Sequence, residues 1–474
     1  MSISQYLWAV ARGLQTQVYP ETTSTAARDS LQNSIGILTV IANALEAHSA
    51  TQCERPTSAA PASKRADTDR LTGPAENSAA YGDTAEALAA AAGSLDAARD
   101  AGLLRDPDML AQIRWEKDLL DGAIADIDAV SSAQAVKHED PKLQIDQSAL
   151  QSYLRTRLAN DRLKLAQFRQ ILGGRSRQTA LFSIMDAPGH AEHLIVQRGI
   201  PGMAPGPAFA SVEGQYEVLR RMHEAGLKVP KPICFETDSA QLGSPFLIVE
   251  RCRGTSAEPD YWAIIKSPAI ALQLADQMGR LHSQPIGVLS TLLPHSRKSG
   301  DAQGWLDELE RLGLEWHAQA HWPSVTVSAA LLWMRANIDC IEDRKSLVHN
   351  DMVFHNILAD GDELTAVLDW EQTSVGHPAE DLGYCFPVVS AAVDWNQFLE
   401  RYYAAGGPGI SQRQVDYFAL RAVLRLMILV LIGGRNTFEA GLSNDVLVAN
   451  AGAFFSQKLL HRYAQVLQKV LARN

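Results

Sequence analysis

The sequence predicts an α+β protein in two lobes, preceded by an additional N-terminal all-helical domain, and three observations carry that prediction. Residues 1–145 are alanine-rich, and their apolar residues recur at helical spacing. Residues 146–254 bring glycines and short β-rich runs, TALFSIM (179–185), HLIVQRG (193–199) and PFLIVERCRG (245–254). Residues 255–474 return to helical patterning, apart from strand-like runs at 346–351, 356–360 and 364–370. A strand-rich part followed by a helix-rich part is the pattern of segregated α+β layers.

The N-terminal part divides further. Leu31, Ile35, Leu38, Ile41 and Leu45 mark one helix; Asp83 with Glu86 forms a capping box for a second. Asp106-Pro107 supplies the N-cap and N1 pair of a third, with a stripe of Leu110, Ile113, Leu120, Ile124 and Ile127. The stretch near 49–82, rich in Pro, Ser, Ala and Thr, reads as a flexible linker.

Bulk composition narrows the function. With 46% apolar residues the chain can bury an ordinary core. A formal net charge of −11 and the lack of a long basic run argue against nucleic acid as partner, because phosphate neutralisation supplies most of that affinity. The five cysteines, Cys53, Cys234, Cys252, Cys340 and Cys385, are widely spaced without a CxxC, which suits reduced thiols in the cytoplasm. The most apolar run, Leu424–Gly433, is too short to cross a bilayer and reads as a buried helix, so no membrane association is expected.

The chemistry concentrates in His349-Asn350-Asp351-Met352-Val353-Phe354-His355-Asn356 and, thirteen residues beyond Asn356, Asp369-Trp370-Glu371. Phosphoryl transfer needs this combination: one carboxylate beside the attacking hydroxyl, and a carboxylate and an amide oxygen for magnesium, which prefers hard oxygen ligands. Upstream, Gly173-Gly174-Arg175-Ser176-Arg177-Gln178-Thr179 precedes a strand; glycines let a backbone approach phosphates. The Walker pattern GxxxxGK[ST] is absent.

On these motifs, residues 150–460 resemble the aminoglycoside phosphotransferase and choline kinase superfamily, which shares the two-lobed protein-kinase-like fold. The resemblance implies ATP and Mg2+ as cofactors, Asp351 as catalytic base, Asn356 and Asp369 as metal ligands, and His349 supporting the loop. It implies that Asp381 holds the loop in place, and that His282 in Leu281-His282 is structural. Cofactor contacts implied are Gly173, Gly174, Ser176 and Thr179 of the glycine loop; Arg198, where kinases carry a phosphate-pairing lysine; and Gln215, at the position of that lysine's glutamate partner. The backbone around Glu250 to Cys252 would meet the adenine edge. Two departures stand out. Arg177 occupies the Asn position of the family's GGxSNxT loop, and Gln215 replaces Glu. Arg198 leans toward an acyl-CoA-dehydrogenase-associated branch. The expected activity is ATP-dependent phosphorylation of a small-molecule hydroxyl, such as a hydroxyacyl-CoA, with an antibiotic kinase and a catalytically weak nucleotide-binding regulator as alternatives. The expected domains are 1–145, 146–254 and 255–474, with the first serving oligomerisation, as in a homodimer, or covering the substrate cleft.

Overall fold

The computed structural model describes residues 104, 107, 109–114, 116–118, 120, 144–171, 177–187, 190–201, 209–259, 262–295, 302–319, 324–439 and 446–473. The helices expected at 31–45 and from Asp83, the linker near 49–82, the end of the third stripe (Ile124, Ile127), and Gly173, Gly174 and Ser176 lie outside these residues. The described residues within Val136–Asp301 and Glu342–Ala419 make one compact unit; those within Met1–Ala135, Ala302–Ile341 and Leu420–Asn474 make a second.

The first unit opens with α1 (Gln147–Arg157), capped by Asp146, whose carboxylate accepts from the N–H groups of Ser148 and Ala149. An antiparallel sheet follows: β1 (Lys164–Ile171), β2 (Arg177–Ala187), β3 (His190–Gly199), then α2 (Val212–Glu224), β4 (Pro232–Glu236) and β5 (Phe246–Glu250), in spatial order β1-β2-β3-β5-β4. Strand β1 escaped the sequence reading because its outward positions are mostly polar and exposed, so it lacks an apolar run.

One face of this sheet carries a core. Leu150, Tyr153 and Leu154 of α1 cluster with Ala180, Phe182 and Ile184 of β2, Leu194 and Val196 of β3, and Phe246 and Ile248 of β5. Side chains alternate across a strand. Gln178 and Arg198, paired across β2 and β3, therefore share the face of Ala180 and Val196. Arg177, paired with Gly199, lies on the opposite face. Helix α2 buries Val212, Gln215, Val218, Leu219 and Met222, a stripe at 3.6 spacing that includes the polar Gln215.

Beyond β5 come the short β6 (Thr255–Ser256) and α3 (Pro268–His282). Gly254 has φ +98, and a Cβ there would collide with the Ala359 carbonyl, so only glycine allows the approach.

Helices α4 (Ala302–Gln319) and α5 (Val325–Ala336) belong to the second unit. There Arg421 forms a two-point ion pair with Glu308, at 2.6 and 2.9 Å. Of the third N-terminal helix, the described positions from 107 to 120 are helical, with Met109, Ile113 and Leu120 buried. Glu116 accepts from the Thr326 N–H at 2.9 Å, occupying an orphan donor in the first turn of α5.

The first unit resumes with β7 (Ser346–Val348), β8 (Ile357–Asp360), β9 (Glu363–Val367), β10 (Ser374–Gly376), α6 (Ala379–Val389) and α7 (Trp395–Ala404). β7 pairs with β10, and β8 with β6 and β9, all antiparallel. Two long helices end the chain, α8 (Gln412–Glu439) and α9 (Val446–Leu471). The Leu424–Gly433 run falls within α8, with Leu424, Leu426, Met427 and Ile428 buried. Among the described residues no helix is long and apolar enough to cross a membrane.

Candidate active site

The turn after β7 is held from beneath by one carboxylate. Asp381, fully buried in the first turns of α6, accepts from the His349 N–H (2.8 Å) with Oδ2 and from the Asn350 N–H (2.6 Å) with Oδ1. His282 at the end of α3 completes the clamp, with Nε2 3.0 Å from Asp381 Oδ2 and Nδ1 2.8 Å from the Tyr402 hydroxyl. Burial alone would push the Asp381 carboxyl up; the hydrogen bond and charge of His282, then His349, bring it below the usual range.

His349 ties this turn to the strand leading to Asp369. Its Nε2 faces the Leu368 carbonyl at 2.9 Å and so carries the proton; Nδ1 accepts from the Asp351 N–H at 3.2 Å. Burial lowers its pKa, which agrees with this neutral form.

Asn350 stands where the family pattern HGDxxxxN has glycine, and the backbone explains the exchange. Its φ is +64, in the left-handed region that asparagine tolerates better than most residues. Its Nδ2 also donates to the Gln372 carbonyl (3.1 Å) and Ser374 Oγ (2.9 Å).

Asp351 is 5% exposed. Its Oδ1 accepts from the Tyr384 hydroxyl at 2.6 Å, and Gln372 Nε2 approaches Oδ2 at 3.4 Å. His355 Nε2 lies 3.8 Å from Oδ1. Asn356 sends its Nδ2 to the Asp351 carbonyl at 3.0 Å. That bond engages the amide nitrogen, which leaves Oδ1 as the acceptor end of the amide. Asn356 also accepts from the Leu368 N–H at 2.8 Å through its own carbonyl, which brings the Asp369 backbone alongside.

Asp369 has φ +63 and keeps part of its surface open. Even so, burial, then the charges of Glu371 and Asp351, raise its carboxyl well above the usual range; Arg177 and the Glu371 N–H pull the other way. Mutual repulsion among Asp351, Asp369 and Glu371 is what a bound cation would relieve. Among the described residues no group of three His, Cys, Asp or Glu side chains could hold a metal ion. A magnesium site here would therefore combine Asp369 with the Asn356 amide oxygen and oxygens of the nucleotide, a hard donor set that suits the ion. Arg177 Nε donates to Glu371 Oε2 at 2.9 Å.

The other expected contacts are more dispersed. Arg198, 4% exposed, donates Nη1 to the Leu242 carbonyl (2.7 Å) and Nη2 to Gln178 Oε1. Leu242 belongs to the α1-side cluster, so this guanidinium lies on the sheet face of that core. Gln215 donates Nε2 to the Ala210 carbonyl at 2.7 Å. Thr179 is half-buried, on the face of Arg177. Glu250, exposed, donates its N–H to the Lys231 carbonyl at 2.8 Å, and burial pushes the Cys252 thiol up to about 11.

Two aromatic residues were missed by the sequence reading. Tyr384 is three residues past Asp381 and nearly one helical turn on, so the helix that clamps the loop also delivers a phenol to Asp351. Gly383 permits this, because a Cβ there would meet Phe418 and Ala419 at 2.5 Å. Trp262 packs on Tyr384, ring centroids 5.2 Å apart, and holds φ +59, unusual for a bulky side chain. The periodicity of GHPAEDLGY could have marked Tyr384; nothing local marks Trp262.

The antiparallel sheet and the loops around β7 to β10 define a kinase-like phosphotransferase fold. It is similar to the structure of a Ralstonia eutropha protein of the aminoglycoside phosphotransferase type, with a TM-score of 0.51 at 17% identity, covering 69% of this chain and 99% of that one. The chain belongs to the phosphotransferase enzyme family, whose model matches residues 167–420. It is also similar to acyl-CoA dehydrogenase family member 11 of Gallus gallus, 28% identical over 185 residues, covering 38% of this chain and 23% of the relative. The Homo sapiens protein of that name is 24% identical over 257 residues, covering 52% of this chain and 31% of the relative. The chain thus spans roughly a quarter to a third of these relatives.

Proposed function

We propose that this chain transfers the γ-phosphoryl group of ATP, with magnesium, to a hydroxyl of a small molecule. The observation that supports this reading is that Asn356 bonds both the Asp351 carbonyl and the N–H of Leu368, the residue before Asp369, on a turn held by Asp381. Asp351 Oδ1 is held by Tyr384, so Oδ2 takes the acceptor's proton. The acceptor oxygen then bonds to phosphorus as the bond to the β-phosphate oxygen breaks, and ADP leaves. Magnesium would neutralise phosphate charge, and Asn356 and Asp369 are the residues that would hold it. His349 and Asp381 keep the loop in one geometry, and that positioning is most of what phosphoryl transfer asks of a protein.

The acyl-CoA dehydrogenase name of the similar proteins makes a hydroxyacyl-CoA thioester the first acceptor to try. Phosphorylating its hydroxyl would convert a poor leaving group into a good one for a later elimination. The test is ATP consumption with hydroxyacyl-CoA thioesters, amino sugars and amino alcohols, with Asp351→Ala as control. Turnover with one class, reduced about 1,000-fold or more in the variant, is expected. ATP binding without turnover on any acceptor would replace this reading with the nucleotide-binding regulator, and turnover on amino sugars alone with an antibiotic kinase.

A further inference from the structure

The phosphate-pairing role expected of Arg198 meets a geometric obstacle. Arg198 is on the sheet face of the α1 cluster, held by the Leu242 carbonyl and by Gln178 of the neighbouring strand. The next residue, Gly199, is on the opposite face and has no side chain to offer. Its partner across the ladder is Arg177, which shares that opposite face.

Arg177 reaches the loop that carries the candidate acids. Its guanidinium reaches Glu371, two residues past Asp369, through a single Nε bond of 2.9 Å. The two side chains are 14% and 9% exposed, so this charge pair is largely withdrawn from water. Arginine usually meets a carboxylate through two parallel N–H bonds. Here Nη1 is buried and, among the described residues, has no hydrogen-bond partner. A buried donor left unsatisfied is destabilising, and a ligand oxygen would satisfy it. The charge also acts on Asp369, pulling its carboxyl down against the larger effects of burial and the neighbouring acids.

Resting on the nucleotide reading above, we propose that Arg177 supplies the phosphate-binding arginine of this site, in place of Arg198, with Nη1 donating to a nucleotide phosphate oxygen while Nε stays on Glu371. Glu371 thereby anchors the guanidinium beside the phosphates. The Arg in the family's Asn position is then an exchange of function between strands: the β3 position facing the site is glycine, and β2 provides the cation. The ligand class is a nucleoside triphosphate or diphosphate; the nucleoside alone gains nothing from Arg177.

Calorimetric titration with AMP-PNP plus magnesium, and separately with adenosine, tests this without turnover. Arg177→Gln should weaken AMP-PNP binding about tenfold or more while leaving adenosine unchanged, and Arg177→Lys should recover part of the loss. Thermal unfolding of each variant establishes that it is folded. Wild-type-like AMP-PNP binding by a folded Arg177→Gln overturns the role of Arg177 and leaves the proposed function standing. Tighter binding by that variant also overturns it, showing an ion pair that nucleotide must break. A wild-type chain that binds adenosine but not AMP-PNP, or neither, removes the nucleotide reading underneath.

Discussion

Asp381 and Asp369 sit in the same compact unit, and they are held in opposite states. Asp381 is sealed, with two backbone N–H donors and a histidine on its oxygens, and its carboxyl lies below the usual range. Asp369 opens to the surface, has two acidic neighbours, and lies well above it. Burial acts on both in the same direction; the surrounding partners decide the sign. The acid held down by its partners reads as scaffold, and the one raised by acidic neighbours as a place where a cation would be favoured, since perturbed groups of this kind gather at functional sites.

Breaking the scaffold side should have the largest effect. Asp381→Ala leaves the His349 and Asn350 N–H groups and His282 Nε2 without this partner in a sealed interior. A loss of about 3–5 kcal/mol is expected in denaturant unfolding. A loss under 1 kcal/mol would mean that the loop holds itself and that the contrast with Asp369 is wrong.

A middle-sized effect should come from the backbone between them. Asn350→Val places a β-branched residue at φ +64 and removes two hydrogen bonds, an expected cost of about 2–3 kcal/mol. Asn350→Gly removes the same bonds without the backbone penalty, so the two variants together separate conformation from hydrogen bonding. Equal stabilities would show that the left-handed turn carries no weight.

The smallest effect sharpens the functional side. A carboxyl raised in the folded state adds full stability only below its unfolded pKa, about 3.9, and loses it as pH rises toward the folded value. Without magnesium, Asp369→Asn should therefore raise the melting temperature at pH 7 by about 2 °C, the gain vanishing near pH 3.5. The same variant should lose magnesium-dependent AMP-PNP binding. A variant less stable at pH 7 would show that Asp369 is as well partnered as Asp381.

The acids and amide of the loop were legible in the chain because their spacing is local. Asp351 and Asn356 share one turn, and Asp369 follows the next hairpin, so order along the sequence nearly equals proximity. The family and the α+β fold followed from those motifs and from the strand-rich and helix-rich halves. Arg198 shows where such reading stops. One residue of register decides which face of a strand a side chain takes, and apolar alternation in HLIVQRG marks the buried face without telling which side a ligand would use.

The sequence by itself determined the kinase-like phosphotransferase class, the positions of the candidate acids and the two departures at Arg177 and Gln215. Tertiary structure alone decided that Arg177 meets Glu371 across 194 residues of chain, that Tyr384 caps Asp351, and that two acids so alike carry opposite shifts. The physical reason is that electrostatics and hydrogen bonding depend on separations of a few ångströms, which strand register and helix packing set and residue order does not.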